Sequence, residues 1–333
     1  KVQSAAADGL EIPVSTEHEY VLDFQPVVEQ LGLTRWVRGM CGSELSTLVY
    51  GHFGVFPLVP DPTLPNMGAT VWYHRLAPEV FDLVRAIGTQ PALIINHPRD
   101  GGSIKGYFNA VGYDPITGTV ENEELWDDGW NVIEAFNGSD FERNRDSTVV
   151  DWFSFLEQGR RVFAVGDSDS HHVRSDPVGW PRNSVLLGTD VPSEVTPEQV
   201  RDAVTAGHVV VTGGILVTAT TASGAGPGDE ERVAGEEATI HVVVQAPSWI
   251  DVDELEVIAD GATRERIPIT DADADPERPA VRFERDVVVP VRAAAPGSWV
   301  VFHARGDDAL APLYPGDGRR PFGLTNPIFL VRR

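Results

Sequence analysis

Residues 162–171 read Val-Phe-Ala-Val-Gly-Asp-Ser-Asp-Ser-His, a short apolar run that ends in acidic, hydroxyl and imidazole side chains. Three earlier apolar runs likewise come directly before polar residues, at 10–14, 92–95 and 132–136. Unbroken apolar runs are typical of buried parallel strands, and the C-terminal ends of such strands carry the catalytic groups of β/α barrels. The pattern therefore predicts β/α alternation over about residues 10–185.

Helical spacing of apolar residues fills much of the remaining N-terminal sequence. It predicts helices over 23–31, 78–88, 147–159 and 196–206, and the first nine residues read as a helix surface. The last of these begins with Thr196-Pro197, a capping residue followed by proline at the first helical position.

The sequence changes character after about residue 207. Apolar and polar residues alternate over 208–221, 238–245, 254–259, 281–291 and 298–304, with Gly, Asp and Pro between the runs. This period of two predicts an antiparallel β-sandwich. A chain of 333 residues is long enough for two cores. We therefore predict an α/β barrel domain over 1–195 and an all-β sandwich domain over 196–333, with the helix from Thr196 as a bridge.

Composition excludes several classes of partner. The formal net charge of −24 opposes binding to nucleic acid or to anionic lipid. No apolar run approaches the roughly 20 residues of a membrane span, so we expect a soluble protein. The single cysteine, Cys41, forms no internal disulfide, and the N-terminus lacks the features of a signal peptide. A cytoplasmic and an exported location both stay open, as does the oligomeric state.

Histidines and carboxylates stand at or beside the predicted strand ends. A single histidine there is usually a core or surface residue, but the set as a whole offers the imidazole nitrogens and carboxylate oxygens that suit zinc, iron or manganese. The predicted metal ligands are His18, Glu44, His52, His97, Asp169 and His171.

Six motifs in order resemble those of the PHP (polymerase and histidinol phosphatase) metallohydrolases. They are Ser15-Thr16-Glu17-His18, Gly42-Ser43-Glu44, Gly51-His52-Phe53, Asn96-His97-Pro98, Ile133-Glu134-Ala135-Phe136-Asn137-Gly138 and Gly166-Asp167-Ser168-Asp169-Ser170-His171. The resemblance continues to the CehA/McbA-like branch, named for carbamate- and amide-cleaving members, through residues 207–214 and 325–328.

The resemblance implies a distorted (β/α)7 barrel with up to three divalent metal ions at the strand ends. Carried over by position, Glu44 would bridge two ions and His52 with His97 would bind the second. Asp169 would complete the first ion, and His18 with His171 would bind the third.

Two departures from the family pattern affect these expectations. The family begins with a His-x-His strand that this sequence lacks, and we expect a truncated chain or fragment, with natural loss as the alternative. This polypeptide alone should then bind fewer metal ions than its parent. The second departure is Glu17, where many members have aspartate before the same histidine.

The predicted ligands imply hydrolysis by a metal-bridging hydroxide that attacks phosphorus or a carbonyl carbon. Candidates for substrate contact or proton transfer are Glu17, Arg99, Glu134, Asp167 and His172. Glu134 has an equal alternative as a buried carboxylate bonded to turn amides, whereas for His172 the alternative of a solvated neighbour is favoured.

Three functions follow. The first is a phosphoesterase, and the second is a hydrolase of carbamates, esters or amides at the same metal site. Both would act on a small-molecule substrate. The third is a noncatalytic module in which the sandwich binds a carbohydrate or protein and the barrel is a degraded scaffold.

Overall fold

A computed structural model describes residues 1–100, 105–173, 178–311 and 318–333. The protein is a mixed α/β structure with few helices and many strands in several sheets. No sheet closes into a barrel within these ranges. None of the helices found there has the length and apolar character that a bilayer crossing requires.

Seven α-helices and eighteen strands make up the described fold. The helices are α1 Val2–Ala7, α2 Gln25–Gln30, α3 Ala77–Arg85, α4 Tyr107–Val111, α5 Phe141–Asn144, α6 Thr148–Glu157 and α7 Pro197–Ala206. The first nine strands are β1 Val14–Ser15, β2 Met40–Cys41, β3 Ser43–Ser46, β4 His52–Phe56, β5 Ala92–Asn96, β6 Val132–Asn137, β7 Phe163–Asp167, β8 Arg182–Val185 and β9 Val209–Thr212. The remaining nine are β10 Leu216–Thr221, β11 Glu230–Val233, β12 Glu237–Gln245, β13 Glu254–Ala259, β14 Ala262–Pro268, β15 Val281–Pro290, β16 Ser298–Arg305, β17 Phe322–Thr325 and β18 Ile328–Arg332. Short 3-10 helices cover Pro65–Gly68, Pro192–Glu194 and Asp271–Asp273.

The chain divides into two compact units, each assembled from several segments. The first unit contains Lys1–Asn137, Ser168–Gly179 and Leu187–Thr205. The second contains Gly138–Asp167, Trp180–Leu186 and Ala206–Arg333. The single boundary between residues 195 and 196 stays a prediction, because these units interleave along the chain.

Strands β3, β4, β5 and β6 are neighbours in that order in the first unit. The pairs β3–β4 and β4–β5 are antiparallel, whereas β5–β6 is parallel. The short strands β1 and β2 form a separate parallel pair. The expected parallel neighbours therefore occur at β5–β6, while β3 and β4 form a hairpin that the sequence pattern did not indicate.

Two elements of the first unit are shorter than expected, for local reasons. Only Val14 of the apolar run 10–14 is in a strand, and Pro13 before it has no N–H to give to a ladder. Helix α2 begins two residues late, where Asp23 Oδ1 accepts the Gln25 N–H at 2.8 Å and Pro26 occupies the first turn.

The second unit contains two sheets. One has the order β10-β12-β15, and the other has the order β11-β18-β16-β17-β9-β8 with β13 and β14 branching from β16. The pairings are antiparallel as expected, except that β11 runs parallel to β18. Strand β12 shows why this region forms sheets, since its residues alternate between exposed and buried. Each fully buried valine or isoleucine contributes roughly 1.5–3 kcal/mol.

The predicted run 208–221 is two strands, because Gly213 and Gly214 interrupt it. Gly214 has a φ of +112°, which side-chain-bearing residues rarely adopt. A Cβ on Gly213 would lie 2.6 Å from the Phe322 ring. The close approach of this ring requires glycine, so the chain turns here and starts a second strand.

Candidate metal centre

The register of three strands places polar side chains on one face of the first sheet. Ser46 on β3 is opposite His52 on β4, and His52 is opposite Asn96 on β5. Glu44 lies two residues before Ser46, so its side chain points to the same face. Glu44 and His52, which come from different strands, are therefore brought together by hairpin pairing.

Gly54 gives Asn96 the space to hold Glu44 in place. It lies opposite Glu44, and a Cβ at this position would approach Asn96 Oδ1 to 3.0 Å. The Gly54 N–H donates to Asn96 Oδ1 at 3.1 Å, and Asn96 Nδ2 donates to Glu44 Oε1 at 3.0 Å. Ser46 Oγ donates to the other carboxylate oxygen, Oε2, at 2.9 Å. Both oxygens of Glu44 are thus oriented before any ligand binds.

Glu44, His52 and His97 form one compact donor group. Each offers one ligand atom, and these atoms all lie within 4.8 Å of one another. Glu44 Oε1 is 3.4 Å from His52 Nδ1 and 3.5 Å from His97 Nε2. The rings of His52 and His97 meet edge to face with centroids 4.8 Å apart. Glu44 and His52 are buried, and His97 is half-buried.

The Glu44 carboxylate is buried among imidazoles rather than among permanent cations. Burial alone would raise its pKa, but hydrogen bonds from His18, His52 and His97 hold the pKa well below its ordinary range. Within the described ranges, its ion-pair partners are these three histidines. The negative charge of Glu44 is therefore balanced only when an imidazole is protonated or another cation is present.

The Glu44 carboxylate raises the pKa of two of these histidines. Burial opposes charge on His97, but the hydrogen bond to Glu44 and the charges of Glu134, Glu44 and Asp169 raise its pKa to about 9. A hydrogen bond to Glu44 raises the pKa of His18 as well, against partial burial. Without another cation, the group therefore holds a proton near neutral pH.

The donor group fits a divalent metal ion. The nitrogens that face the Glu44 carboxylate are His52 Nδ1 and His97 Nε2, whereas the opposite ring nitrogens, His52 Nε2 and His97 Nδ1, have no hydrogen-bond partner. The two Glu44–imidazole distances also match the roughly 3.4 Å edge of a tetrahedron with metal bonds near 2.0–2.1 Å. One carboxylate and two imidazoles are a donor set that suits zinc, manganese or iron.

The other three predicted ligands lie next to this group. His18 Nδ1 is 2.8 Å from Glu44 Oε2 and hydrogen-bonds Ser46 Oγ. The His18 ring centroid is 6.1 Å from that of His52 and 5.8 Å from that of His171. His171 Nδ1 donates to the main-chain oxygen of Asp169 at 2.8 Å, so its Nε2 is the ring nitrogen that does not make this bond. His18, Asp169 and His171 are exposed, unlike Glu44.

The five predicted substrate or proton-transfer residues have different surroundings. Glu17 and His172 are exposed. Arg99 donates to Asn109 Oδ1 at 3.2 Å and to the Tyr113 main-chain oxygen at 2.8 Å, which ties it to α4. Asp167 is the last residue of β7 in the second unit.

Glu134 lies on β6, next to β5, and is 2% exposed. It accepts the main-chain N–H of His97 at 2.5 Å. This agrees with the alternative of a buried carboxylate bonded to a turn amide.

Sequence reasoning did not assign roles to Asn96, Ser46 and Asn137. The role of Asn96 could have been predicted from the sequence, because an amide directly before His97 at a strand end can orient a neighbouring carboxylate. Ser46 gave no signal, since its contact with Glu44 depends on the hairpin register. Asn137 is part of one of the six motifs, but its hydrogen bond to Asp169 is evident only from the structure.

Comparison with known proteins gives no match to a protein-family model, to a curated protein or to a solved structure. The resemblance of the six motifs to PHP metallohydrolases therefore stays a prediction.

Proposed function

We propose that this chain is a metal-dependent hydrolase of the PHP type, acting first of all on phosphoesters. The observation that carries the proposal is the buried group of Glu44, His52 and His97, whose ligand atoms lie within 4.8 Å of one another. A bound divalent metal ion would supply Lewis acidity and an activated water. The fold proposed with it is a distorted (β/α)7 barrel followed by a β-sandwich.

The residues of this chain would hold and orient the reacting groups. Glu44, His52 and His97 would bind the ion, and Asn96 and Ser46 fix the two oxygens of Glu44 through the hydrogen bonds described above. Such contacts to ligands raise metal affinity because they remove alternative side-chain orientations. Asp169 would complete the first ion of the expected set together with Glu44, and His18 with His171 would bind the third.

Binding of the ion would change the protonation of the group. The pKa of His97 is about 9 in the metal-free protein, so near neutral pH its proton must leave before the ring nitrogen binds an ion. The carboxylate of Glu44 stays charged throughout, because its pKa is low. The ion would thus take the place of a proton as the cation that balances Glu44.

Exposed apolar side chains favour a second candidate, the hydrolysis of carbamates, esters or amides. Leu48 and Val49, at the tip of the β3–β4 hairpin, are 69% and 63% exposed. The tip lies between Ser46 and His52 in the chain, so it directly adjoins residues of the Glu44, His52 and His97 group. An apolar surface beside the site suits a substrate with an uncharged alkyl or aryl part better than a phosphate dianion.

A matched set of substrates separates these two candidates. We expect the chain, stripped with chelator and reloaded with zinc, manganese or iron, to hydrolyse 4-nitrophenyl phosphate. Hydrolysis of 4-nitrophenyl acetate or 4-nitrophenyl N-methylcarbamate instead would support the second candidate, since all three release the same leaving group. His52→Ala should remove the metal-dependent rate, whereas His241→Ala, at an exposed histidine on β12 that bonds Asp286 at 2.9 Å, should keep it.

A chain that binds metal but hydrolyses none of the three substrates would count against both enzymatic candidates. It would support the noncatalytic alternative. Hydrolysis that persists in chelator, or in the His52→Ala variant, would contradict a metal mechanism at this group.

A further inference from the structure

His97 and Asp169 share an unusual backbone conformation. Their φ angles are +24° and +44°, in a region that residues other than glycine seldom occupy. Such residues persist where surrounding contacts fix them, and they concentrate at functional sites. Both are predicted metal ligands, one at the end of β5 and the other after β7.

Glu134 fixes the first of these two residues. Its Oε2 accepts the main-chain N–H of His97 at 2.5 Å, and its Oε1 accepts from Asn137 Nδ2 at 3.0 Å. The residue is 2% exposed, so a carboxylate here depends on such donors for the charge to be tolerated. The hydrogen bond acts on the His97 backbone, which decides where the imidazole ring points.

Asn137 connects this carboxylate to the second residue. Its amide nitrogen also lies 3.3 Å from Asp169 Oδ2, and an amide has two hydrogens to give. The contacts form one chain, from the His97 N–H through Glu134 and Asn137 to the Asp169 carboxylate. Its two ends belong to the Glu44 group and to the exposed group of His18, Asp169 and His171.

We infer that Glu134 and Asn137 are positioning residues that set the separation of the two ligand groups, and that Glu134 does not itself react. The inference rests on the proposed metal centre. The sequence predicted that Glu134 contacts substrate. In the positioning role it contacts instead the backbone of His97, a predicted metal ligand.

The substitution Glu134→Gln tests the first link with almost no change of shape. The His97 N–H and the Asn137 amide donate to different oxygens of Glu134, so in a carboxamide one of these two donors would face an NH2 group instead of an acceptor. We expect zinc affinity, measured by competition with a chromogenic chelator, to fall by roughly 10–100-fold, as is typical for contacts that orient ligands. Glu79→Gln is the matched control, because Glu79 Oε2 accepts a main-chain N–H from Leu76 at the start of α3.

A second readout is independent of metal. In the chelator-treated protein, the His97 amide should be protected from hydrogen exchange, and Glu134→Gln should weaken this protection, because one neutral acceptor oxygen replaces the two oxygens of the carboxylate. Asn137→Ala keeps the Glu134–His97 bond and removes the two bonds of the Asn137 amide, to Glu134 and to Asp169. It should leave the His97 amide protected and reduce zinc affinity less than Glu134→Gln does, and it serves as the second variant if Glu134→Gln folds poorly.

The outcomes separate this inference from the proposed function. If the unchanged chain binds no zinc, the metal centre fails. If it binds zinc and Glu134→Gln binds zinc equally well, the positioning role is overturned and the metal centre stands. A lower melting temperature of metal-free Glu134→Gln with unchanged zinc affinity would also overturn it, since that result describes a purely structural residue.

Discussion

Glu44 in the first unit and Glu256 in the second are both buried glutamates that contact histidine, yet their surroundings differ. Glu256 accepts from Arg145 Nη2 at 2.6 Å, from Arg266 Nη2 at 2.8 Å and from Thr263 Oγ1 at 2.5 Å. His303 Nδ1 is 3.3 Å from its Oε2. Glu44 has imidazoles, an amide and a hydroxyl as partners, and no guanidinium or ammonium group among those described.

The difference shows what makes a buried glutamate–histidine pair a candidate metal site. At Glu256, two guanidinium groups supply permanent positive charge and occupy the carboxylate oxygens, so the cluster is complete without an ion. At Glu44, the balancing charge is a removable proton on an imidazole, and two imidazole nitrogens lie 3.4 and 3.5 Å from one carboxylate oxygen. Glu256 contacts one imidazole, that of His303, and a single imidazole beside arginines does not make a set of ligands. The kind of cation, rather than the presence of histidine, separates the two clusters.

The largest effect is expected from removing a permanent cation. Arg145→Ala leaves the fully buried carboxylate of Glu256 with Arg266 as its remaining guanidinium partner. Breaking a buried ion pair in this way costs about 3–5 kcal/mol, and we expect this loss in the free energy of unfolding of the second unit. Urea unfolding followed by amide exchange measures it. A loss below about 1 kcal/mol would remove the contrast with Glu44, and zinc affinity should not change.

The next effect is stabilisation by metal. Zinc at about 100 times its dissociation constant should raise the free energy of unfolding of the first unit by about 2.7 kcal/mol. Glu44→Gln should abolish most of this gain, whereas Glu256→Gln should retain it in whatever fraction folds. Thermal unfolding with and without zinc provides the measurement. Equal stabilisation of both variants would mean that zinc binds elsewhere.

The smallest effects concern pH, and they have opposite signs in the two clusters. The pKa of His97 is raised to about 9, so its stabilising contribution is complete below the unfolded value of about 6.5 and is lost as the pH rises through 9. Burial lowers the pKa of His303, even against the pull of Glu256. Its contribution is therefore complete above about pH 6.5 and is lost as the pH falls from there toward the lower folded value.

Each slope is at most about 1.4 kcal/mol per pH unit, because one proton is involved in each case. Hydrogen exchange of the main-chain amides, measured on the chelator-treated protein between pH 5 and 10, reports the stability of each unit separately. His97→Gln should flatten the alkaline slope in the first unit, and His303→Gln should flatten the acidic slope in the second. Finding the same sign of slope in both units would contradict the assigned protonation states.

Prediction from sequence worked best where a local pattern determines structure. Strand β13 matches the predicted range 254–259, and β5, β6 and β7 begin within one residue of their apolar runs. These runs are unbroken and bounded by polar residues, so they can be recognised from the sequence alone. The period of two likewise found the sheet-forming part of the second unit.

Features set by pairing were not predictable in this way. Glu44 and His52 lie on short strands whose sequences, Ser-Glu-Leu-Ser and His-Phe-Gly-Val-Phe, lack a long apolar run. Nothing in the residues of β5 indicates that its neighbour β4 is antiparallel. The six ligands were nonetheless predicted from residue type and position at or beside strand ends, and the structure brings Glu44, His52 and His97 together. Asn96, Ser46 and Asn137 act through contacts that depend on register.

The central claim is that Glu44, His52 and His97 together bind a divalent metal ion, and equilibrium zinc binding tests it most directly. Competition titrations should compare the unchanged chain with His52→Ala/His97→Ala, and with His241→Ala as the matched control. We predict at least one tightly bound zinc per chain, an affinity loss of more than roughly 100-fold in the double variant, and no loss in the control. The double variant binding zinc as tightly as the unchanged chain would contradict the account.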